Sequence, residues 1–251
     1  MPCPDWLTAR PVAHRALHDR AEGRIENTLS AVRAALDRGF AIEVDLQLTA
    51  DEEVIVFHDD MLDRLSESIG RVDQTSLSAI RAIKLRDTTD RIPTLDELLE
   101  EVAGRTPLVI ELKSNWTGDR RLEHRVAGIL STYSGPAAVM SFDPASVHAM
   151  RKLAPHLPRG LVADRFEEEE WPGIPPHYRL ALRHLLSAAY ALPQFIAYDV
   201  KALPATAPLL LRHLGLPLLT WTVRTPADIE TARKWANQMI FEGFDPAAIG
   251  T

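Results

Sequence analysis

The stretch Ile42-Glu43-Val44-Asp45-Leu46-Gln47-Leu48-Thr49 alternates strictly between apolar and polar side chains. Because side chains in a strand repeat every two residues, the apolar four share one face and the polar four share the other. Glu43 and Asp45 then point the same way, roughly 6–7 Å apart at two residues' rise. Such carboxylates repel each other unless a cation or a proton lies between them. Taken alone, the strand more often belongs to a surface sheet with one solvated face, and the rest of the chain shifts that balance.

Composition limits the class of protein. With 251 residues, of which 46% are hydrophobic and 25% charged, the chain suits one large α/β domain or two small ones. A net charge of −7 disfavours a nucleic-acid or anionic-membrane surface, and a single cysteine, Cys3, excludes a disulfide framework. The N-terminal residues show no apolar signal segment, and prolines and charges interrupt the most apolar run, 203–221. We therefore expect a cytoplasmic protein without a membrane anchor.

Short apolar runs alternate with helical patterns along the whole chain. The predicted strands span 11–15, 42–49, 108–113, 137–142, 160–163, 195–199, 218–223 and 239–242. The predicted helices between them span 29–38, 95–102, 122–130, 144–153, 180–190, 208–214 and 227–235. Residues 59–91 interrupt this rhythm with turn signals and one short helical pattern, after a further strand-like run at 54–57.

Eight strands that alternate with helices favour a TIM (β/α)8 barrel forming one domain over residues 1–251. A doubly wound open sheet is the competitor, but the Gly-rich turn expected after its first strand is missing. Helix ends carry their own signals. Asn27 or Thr28 can cap the first helix, Gly39 can end it, and Thr94 can cap the second.

In such a barrel, active-site residues lie at the carboxyl ends of the strands. Three carboxylates there, Glu43, Asp45 and Glu111, come from two neighbouring strands, and ligation by oxygen alone suits Mg²⁺ or Ca²⁺. His14 and His58 end two further apolar runs, and histidine is the side chain best suited to exchange a proton near neutral pH. The sequence thus predicts a hard metal ion beside two proton-transfer groups.

Two cations complete this set of strand-end residues. Arg15 can fork onto phosphate oxygens, and Lys113 supplies a point charge. A hard metal ion, two histidines and two cations together indicate a phosphoryl-transfer site. One histidine would activate the nucleophile and the other would protonate the leaving oxygen, in an order that the sequence leaves open.

Each residue taken alone has a simpler interpretation. A lone His14 is more often structural, Glu111 and Lys113 are more often an ion pair on one face, and Trp221 is more often a core residue. One barrel mouth explains all the strand-end positions at once, which weakens these alternatives jointly. We assign no role to the histidines in loops or helical patterns, namely His18, His124, His148, His156, His177, His184 and His213.

Several motifs in order along the chain resemble the signature of the glycerophosphodiester phosphodiesterases. The most specific are His14-Arg15, Glu26-Asn27-Thr28, Ile42-Glu43-Val44-Asp45 and His58-Asp59 with Leu62 and Arg64. Weaker matches are Ile92-Pro93-Thr94-Leu95, Ile110-Glu111-Leu112-Lys113, Ser141-Phe142 and Trp221-Thr222-Val223. The resemblance implies a TIM barrel with a small insertion after the second strand, which fits residues 59–91.

The resemblance also implies an activity, namely hydrolysis of glycerophosphodiesters to sn-glycerol 3-phosphate and an alcohol. The glycerol 2-hydroxyl would attack first, and water would then open the resulting cyclic phosphate. By the same resemblance, a divalent metal ion is held by Glu43, Asp45 and Glu111. The remaining roles that it implies are acid/base catalysis by His14 and His58, substrate binding by Arg15, Lys113 and Trp221, and support of Arg15 by Glu26.

The chain departs from the family pattern in four places. Ala16 replaces a glycine, so positive φ there is more costly, and Asp51-Glu52-Glu53 replaces a Lys-Asp-Gly-like turn. Arg224 stands where asparagine is common, and Phe241-Glu242-Gly243-Phe244 replaces a Thr-Asp near the last strand. None of these removes a proposed ligand or histidine. The last two lie near the mouth, where they affect the far end of the substrate.

Two other functions compete with this hypothesis. A phospholipase-D-like relative on the same barrel would cleave lysolipids and would need an apolar surface at the mouth, whereas the loop 165–170 is polar. A non-catalytic barrel that binds a phosphorylated ligand would not need two proton-transfer groups. The preferred alcohol group, the native metal and the oligomeric state stay open at this stage.

Overall fold

The computed structural model describes residues 3–249, and its parallel strands close into a ring. The order around the ring is β1-β2-β4-β5-β6-β7-β8-β9, with β9 paired back to β1. The strands in the described part of the chain are β1 (Val12–Ala13), β2 (Ala41–Leu48), β3 (Val54–Val56), β4 (Leu108–Leu112), β5 (Ala137–Ser141), β6 (Arg159–Ala163), β7 (Phe195–Asp199), β8 (Leu218–Val223) and β9 (Gln238–Phe241). The α-helices there are α1 (Leu29–Arg38), α2 (Leu77–Ala82), α3 (Leu95–Val102), α4 (Arg121–Leu130), α5 (Pro144–Leu153), α6 (Pro176–Arg183), α7 (Ala188–Ala191), α8 (Thr206–His213) and α9 (Pro226–Trp235).

The strand β3 lies outside the ring and runs antiparallel to the end of β2. It leads into the segment that contains α2, which packs around a small core of its own. That core includes Ile55, Phe57, Leu62, Val72, Ile80 and Ile92. The prediction of a TIM barrel with a small insertion after the second strand is therefore confirmed. The domain bounds 1–251 and 59–91 stay predictions, and residues 1–2 and 250–251 lie outside the described part.

Alternation along β2 separates two buried environments. Ile42, Val44 and Leu46 pack outward in the cluster that contains the apolar faces of α1 and α3. The other face lines the barrel, and Glu43 and Asp45 are each only 1% exposed. The simpler interpretation of this face as solvated is therefore wrong. The barrel turns an ordinary amphipathic strand into one that carries carboxylates into the interior.

Two predicted elements differ from the structure. The first strand contains only Val12–Ala13, because the chain turns at Arg15 and Ala16, whose φ angles are 51° and 64°. Ala16 thus adopts the left-handed conformation despite its Cβ, a conformation that costs a non-glycine residue about 1–2 kcal/mol. The helix predicted over 180–190 is interrupted, since Leu185 has a φ of 54° between α6 and α7. Leu185 is buried there, so packing overrides the local helical pattern.

The helix-end predictions have mixed outcomes. Gly39 takes a φ of 69° and ends α1 as predicted. Thr28 occupies the N-cap position of α1, but its hydroxyl donates to the carbonyl of Ile25 at 2.7 Å and makes no cap bond. Thr94 accepts from the backbone N–H of Glu97 while the Glu97 carboxylate accepts from the backbone N–H of Thr94, which completes a capping box at α3.

The helices around the barrel are short and bury one face each. The longest, α1, α4, α5 and α9, have 10 residues. Among residues 3–249, no helix combines the length and the apolar character that crossing a membrane requires. The cytoplasmic location expected from the sequence stays a prediction.

The capping box at α3 gives a first test. Thr94→Ala is expected to lower the free energy of unfolding by about 1 kcal/mol, because the N–H of Glu97 loses its acceptor at a half-buried helix start. Urea titration followed by circular dichroism measures this change. Thr94→Ser retains the hydroxyl and serves as the control. Equal losses in both variants would show that the methyl group, and not the cap, stabilises this position.

Candidate active site

Three buried carboxylates meet on the barrel-facing side of the neighbouring strands β2 and β4. Parallel pairing places Asp45 beside Glu111, and Glu43 lies one strand period earlier on the same face as Asp45. Oxygen atoms from Glu43, Asp45 and Glu111 all lie within 4.8 Å of one another. A Ca²⁺ ion binds oxygens at roughly 2.3–2.6 Å, so a single ion can contact all three. The predicted neighbours are thus brought together with a spacing that fits a hard divalent cation.

Cationic and amide groups surround this carboxylate triad. The Lys113 ammonium lies 3.0 Å from Asp45 and 2.7 Å from Glu111. The backbone N–H of Arg15 donates to Glu43 at 2.8 Å. The Asn27 side-chain amide donates to Asp45 at 2.9 Å and accepts from its backbone N–H at 3.2 Å. Asn27 was considered only as a helix cap, and its actual role is to hold Asp45.

The pKa values of Glu43 and Asp45 are shifted in opposite directions. Burial raises the pKa of Glu43 well above its usual range, and the charges of Asp45 and Glu111 raise it further. Burial acts on Asp45 in the same direction, but the surrounding positive charges, with Lys113 the largest, and the hydrogen bond from Asn27 together outweigh it and lower the pKa of Asp45. Burial opposes the charge of Lys113, yet the carboxylates raise its pKa. If all three carboxylates ionise, they carry three negative charges beside two cations, Arg15 and Lys113, so the protein cations alone do not balance them.

A chain of ion pairs links Arg15 to His58. The Arg15 guanidinium donates to Glu26 at 2.7 Å. Glu26 also accepts from Arg64 at 2.7 Å, and Arg64 donates to Asp59 at 3.0 Å. Asp59 lies 2.7 Å from Nδ1 of His58. Glu26 therefore supports both the predicted phosphate-binding arginine and, through Arg64, the partner of one histidine.

The other histidine contacts a carboxylate that directly follows the last strand. Nδ1 of His14 lies 2.9 Å from Glu242, and Glu242 accepts from Arg224 at 2.8 Å. Nε2 of His18 lies 3.9 Å from the same carboxylate. Sequence reasoning gave His18 no role and placed Glu242 among the departures from the family pattern. These residues meet because closure of the barrel pairs β1 with β9, and this pairing cannot be recognised from neighbouring residues in the sequence.

Gln47, near the end of β2, and Thr49, directly after it, hold the neighbouring backbone in place. The Gln47 amide donates to the carbonyls of Phe57 and Asp59, at 3.1 and 2.7 Å, and so clamps the residues on either side of His58. Thr49 accepts from the backbone N–H of Glu53 at 3.0 Å. The polar face of β2 therefore positions the segment that carries His58.

An aromatic wall closes the opposite side of the mouth. A cavity of about 1230 Å³ is lined by both histidines, the carboxylate triad and the wall residues Trp116, Phe142, Trp171 and Trp221. Phe142 contacts Trp171 and Trp221 with ring centroids 4.9 and 5.5 Å apart. Trp221 thus combines core packing with a position on the cavity. The cavity offers a charged half and an apolar half to one ligand.

Asp164, at the carboxyl end of β6, anchors the aromatic wall. It accepts from the Trp171 indole N–H at 3.0 Å and from the backbone N–H of Phe166 at 2.6 Å. Burial raises the pKa of the Asp164 carboxyl to about 6, although these hydrogen bonds act in the opposite direction. The sequence offered no pattern that would distinguish this aspartate from those in solvated loops.

The sequence matches the model of the glycerophosphoryl diester phosphodiesterase family over residues 14–243. A glycerophosphodiester phosphodiesterase of Caldanaerobacter subterraneus subsp. tengcongensis is 31% identical over 215 residues, 82% of this chain and 83% of the relative. One from Bacillus subtilis is 27% identical over 256 residues, 93% of this chain and 83% of the relative. The structure also resembles a phosphodiesterase of Oleispira antarctica solved with the product sn-glycerol 3-phosphate, with a TM-score of 0.76, 19% identity and coverage of 92% and 91%.

These likenesses span both strands that carry the carboxylate triad and both histidines. They define the class as phosphoric diester hydrolases built on a TIM barrel. Within that class, the chain belongs to the glycerophosphoryl diester phosphodiesterase family. The family assigned from the sequence motifs is therefore confirmed.

Asp164 predicts a pH dependence of stability. Its folded-state pKa of about 6 exceeds the ordinary value, so the folded state retains this proton more strongly and loses stability as pH rises through about 6. Asp164→Asn removes that ionisation. Relative to the unmodified protein, its free energy of unfolding should rise by on the order of 1 kcal/mol between about pH 5 and about pH 8.

Urea titrations at the two pH values measure this difference. Comparing the two values cancels any pH-independent effect of the amide on the free energy of unfolding. Glu100→Gln, which removes an exposed carboxylate on α3, is the matched control. A pH dependence identical in Asp164→Asn and in the unmodified protein would show that Asp164 ionises normally.

Proposed function

We propose that the protein hydrolyses glycerophosphodiesters to sn-glycerol 3-phosphate and an alcohol, with a divalent metal ion and two histidines. The observation that carries the proposal is the convergence of the buried carboxylate triad with His14 and His58 in one cavity. Family membership supports the reaction class. The Oleispira relative, solved with sn-glycerol 3-phosphate, supports the identity of the product.

Glu43, Asp45 and Glu111 would hold the metal ion. Their donor atoms are all carboxylate oxygens within 4.8 Å of one another, the ligand set that Mg²⁺ and Ca²⁺ prefer. When ionised, the three carboxylates carry more charge than the two neighbouring cations, Arg15 and Lys113, can balance. When bound, the ion would act as a Lewis acid on a phosphoryl oxygen.

Arg15 and Lys113 would bind the phosphate. Both line the cavity, and both pair with triad carboxylates in this structure. A cation that neutralises Asp45 would weaken these pairs, because the carboxylate would then attract the side chains less. Arg15 stays oriented by Glu26 at 2.7 Å. Its guanidinium can therefore turn toward phosphate oxygens without losing its anchor.

His14 and His58 would transfer the protons. Each lies at the mouth, and each has its Nδ1 within 2.9 Å of a carboxylate, so Nε2 is the atom available to the substrate. One ring would take the proton of the glycerol 2-hydroxyl, and the other would protonate the leaving alcohol. Water would then open the cyclic phosphate with the two roles reversed.

A lysolipid-cleaving activity is the second candidate, and the aromatic wall favours it. The polar sequence of 165–170 argued against an apolar approach surface, but the same loop continues to Trp171 and Ile174, which line the cavity. An acyl chain or a bulky alcohol group could pack there. A non-catalytic role is disfavoured, since two histidines with carboxylate partners are more than phosphate binding requires.

Product release from defined diesters tests the activity. With Ca²⁺ or Mg²⁺, we expect sn-glycerol 3-phosphate from glycerophosphocholine and glycerophosphoethanolamine, and none with EDTA. His58→Ala should lower kcat by about 10²–10⁴-fold, the usual contribution of a general acid or base. His213→Ala, at the exposed end of α8, should retain full activity.

Each outcome of this assay separates one hypothesis from another. Metal-dependent release from none of the diesters would refute the proposed function. Choline release from lysophosphatidylcholine, in preference to glycerophosphocholine, would identify the lysolipid enzyme. Full activity in His58→Ala would be consistent with the proposed reaction but would reject the proposed role of His58 in it.

Metal binding can be tested without activity. Saturation at about 100 times Kd should raise the free energy of unfolding by about 2.7 kcal/mol. Glu111→Gln should lose most of that increase, because it removes one of three charged ligands. Thermal melts with and without the ion measure the increase, and Glu100→Gln is the control. An equal increase in Glu111→Gln would place the ion elsewhere.

A further inference from the structure

Two residues that depart from the family pattern lie in contact with each other. The Arg224 guanidinium donates to the Glu242 carboxylate at 2.8 Å. Pairing of β8 with β9 brings them together, since the backbone N–H of Glu242 donates to the carbonyl of Val223 at 3.0 Å. Asp228 holds the backbone of Arg224 by accepting from its N–H at 3.2 Å. The two departures are therefore one structural unit.

This unit contacts His14 on the neighbouring strand. Pairing of β1 with β9 aligns Ala13 with Phe241, and the backbone N–H of His14 donates to the carbonyl of Phe241 at 2.9 Å. The next side chains along the two strands then meet, with Nδ1 of His14 2.9 Å from Oε2 of Glu242. The backbone register thus sets the contact.

The protonation states of the two groups determine the direction of this hydrogen bond. Burial opposes ionisation of Glu242, but the hydrogen bonds from His14 and Arg224 outweigh it and lower its pKa to about 2. An ionised carboxylate only accepts hydrogen bonds, so Nδ1 of His14 must carry the proton. Burial lowers the pKa of His14 to about 4. The ring is therefore neutral at neutral pH, with its lone pair on Nε2.

We propose that Glu242 is the positioning residue that fixes His14 as the Nδ1–H tautomer, and that Arg224 holds Glu242 in place. The catalytic part of this inference rests on the proposed function. In that reaction, the unprotonated Nε2 of His14 is the atom that exchanges a proton with the substrate.

The second histidine has a parallel arrangement. Nδ1 of His58 lies 2.7 Å from Asp59, and Asp59 accepts from Arg64. Each histidine thus has a carboxylate partner that an arginine holds. The recurrence supports a common purpose, because a hydrogen bond to one ring nitrogen sets which nitrogen faces the substrate.

Arg224 also limits how strongly Glu242 stabilises a charged ring. The other charged groups that face His14 are Arg15, which disfavours the imidazolium, and Asp45, which favours it. Glu242 is faced by Arg224 and by His18 at 3.9 Å. Removing the carboxylate and removing the guanidinium should therefore change the basicity of His14 in opposite directions.

Nuclear magnetic resonance of the imidazole nitrogens tests the tautomer independently of activity. In the Ca²⁺-loaded protein, His14, assigned by comparison with His14→Gln, should show a protonated Nδ1 and an unprotonated Nε2. Glu242→Ala should convert it to a mixture of tautomers. An Nε2–H tautomer in the unmodified protein, or an unchanged tautomer in Glu242→Ala, would overturn the proposal.

The pH dependence of kcat for glycerophosphocholine provides the second readout. Glu242→Gln should lower the apparent pKa of the acidic limb of this profile by about one unit. Arg224→Met should raise that pKa. Glu242→Ala should lower kcat about 10-fold or more with little change in KM, as expected for a mispositioned proton-transfer group. Glu230→Gln, at an exposed position on α9, should change neither.

The two readouts distinguish the inference from the proposed function. Absence of diesterase activity with the expected tautomer would leave the positioning role intact and reject the reaction. If the apparent pKa of the acidic limb shifts in the same direction in Glu242→Gln and Arg224→Met, the inference is rejected, although the proposed reaction is not. If Glu242→Ala fails to fold, Glu242→Met, which keeps much of the size of the side chain but removes the acceptor, carries the tautomer test, and Glu242→Gln carries the pH test.

Discussion

Burying three carboxylates on two adjacent strands is the constraint on which this structure depends. Like charges within 4.8 Å cannot all ionise in a barrel interior without compensation. Lys113, Asn27 and the backbone N–H of Arg15 provide part of it. Even the left-handed turn at Arg15 and Ala16 serves this purpose, because it directs a backbone amide at Glu43. The unfavourable left-handed backbone after β1 thus helps to compensate the charge that β2 buries.

The balance extends beyond the triad through alternating charges. Arg15 connects to Glu26, Glu26 to Arg64, and Arg64 to Asp59, so the segment after β3 is tied to the turn after β1. Gln47 adds two hydrogen bonds to the same segment. The small insertion therefore has a definite position relative to the barrel, although its core is separate. Its entry carries His58, which explains why so many polar contacts converge there.

Much of the fold and of the site can be predicted from local patterns. Alternation locates β2, helical spacing locates α1 and α3, and strand ends identify the triad, both histidines and both phosphate-binding candidates. Contacts across the ring are different, because register between β1 and β9 leaves no local trace. The sequence therefore did not reveal Glu242 and His18 as neighbours of His14. Asn27 was predicted only as a possible N-cap of α1. The break at Leu185 was missed for the related reason that burial overrode helical spacing.

The two-residue strand β1 has a consequence for assembly. It joins the ring by pairing with β2 on one side and β9 on the other. His14 and Glu242, separated by 228 positions, can meet only after that last pairing. Loop-closure entropy must be overcome before so distant a contact forms. The contact between His14 and Glu242 therefore depends on the same strand pairing that closes the barrel.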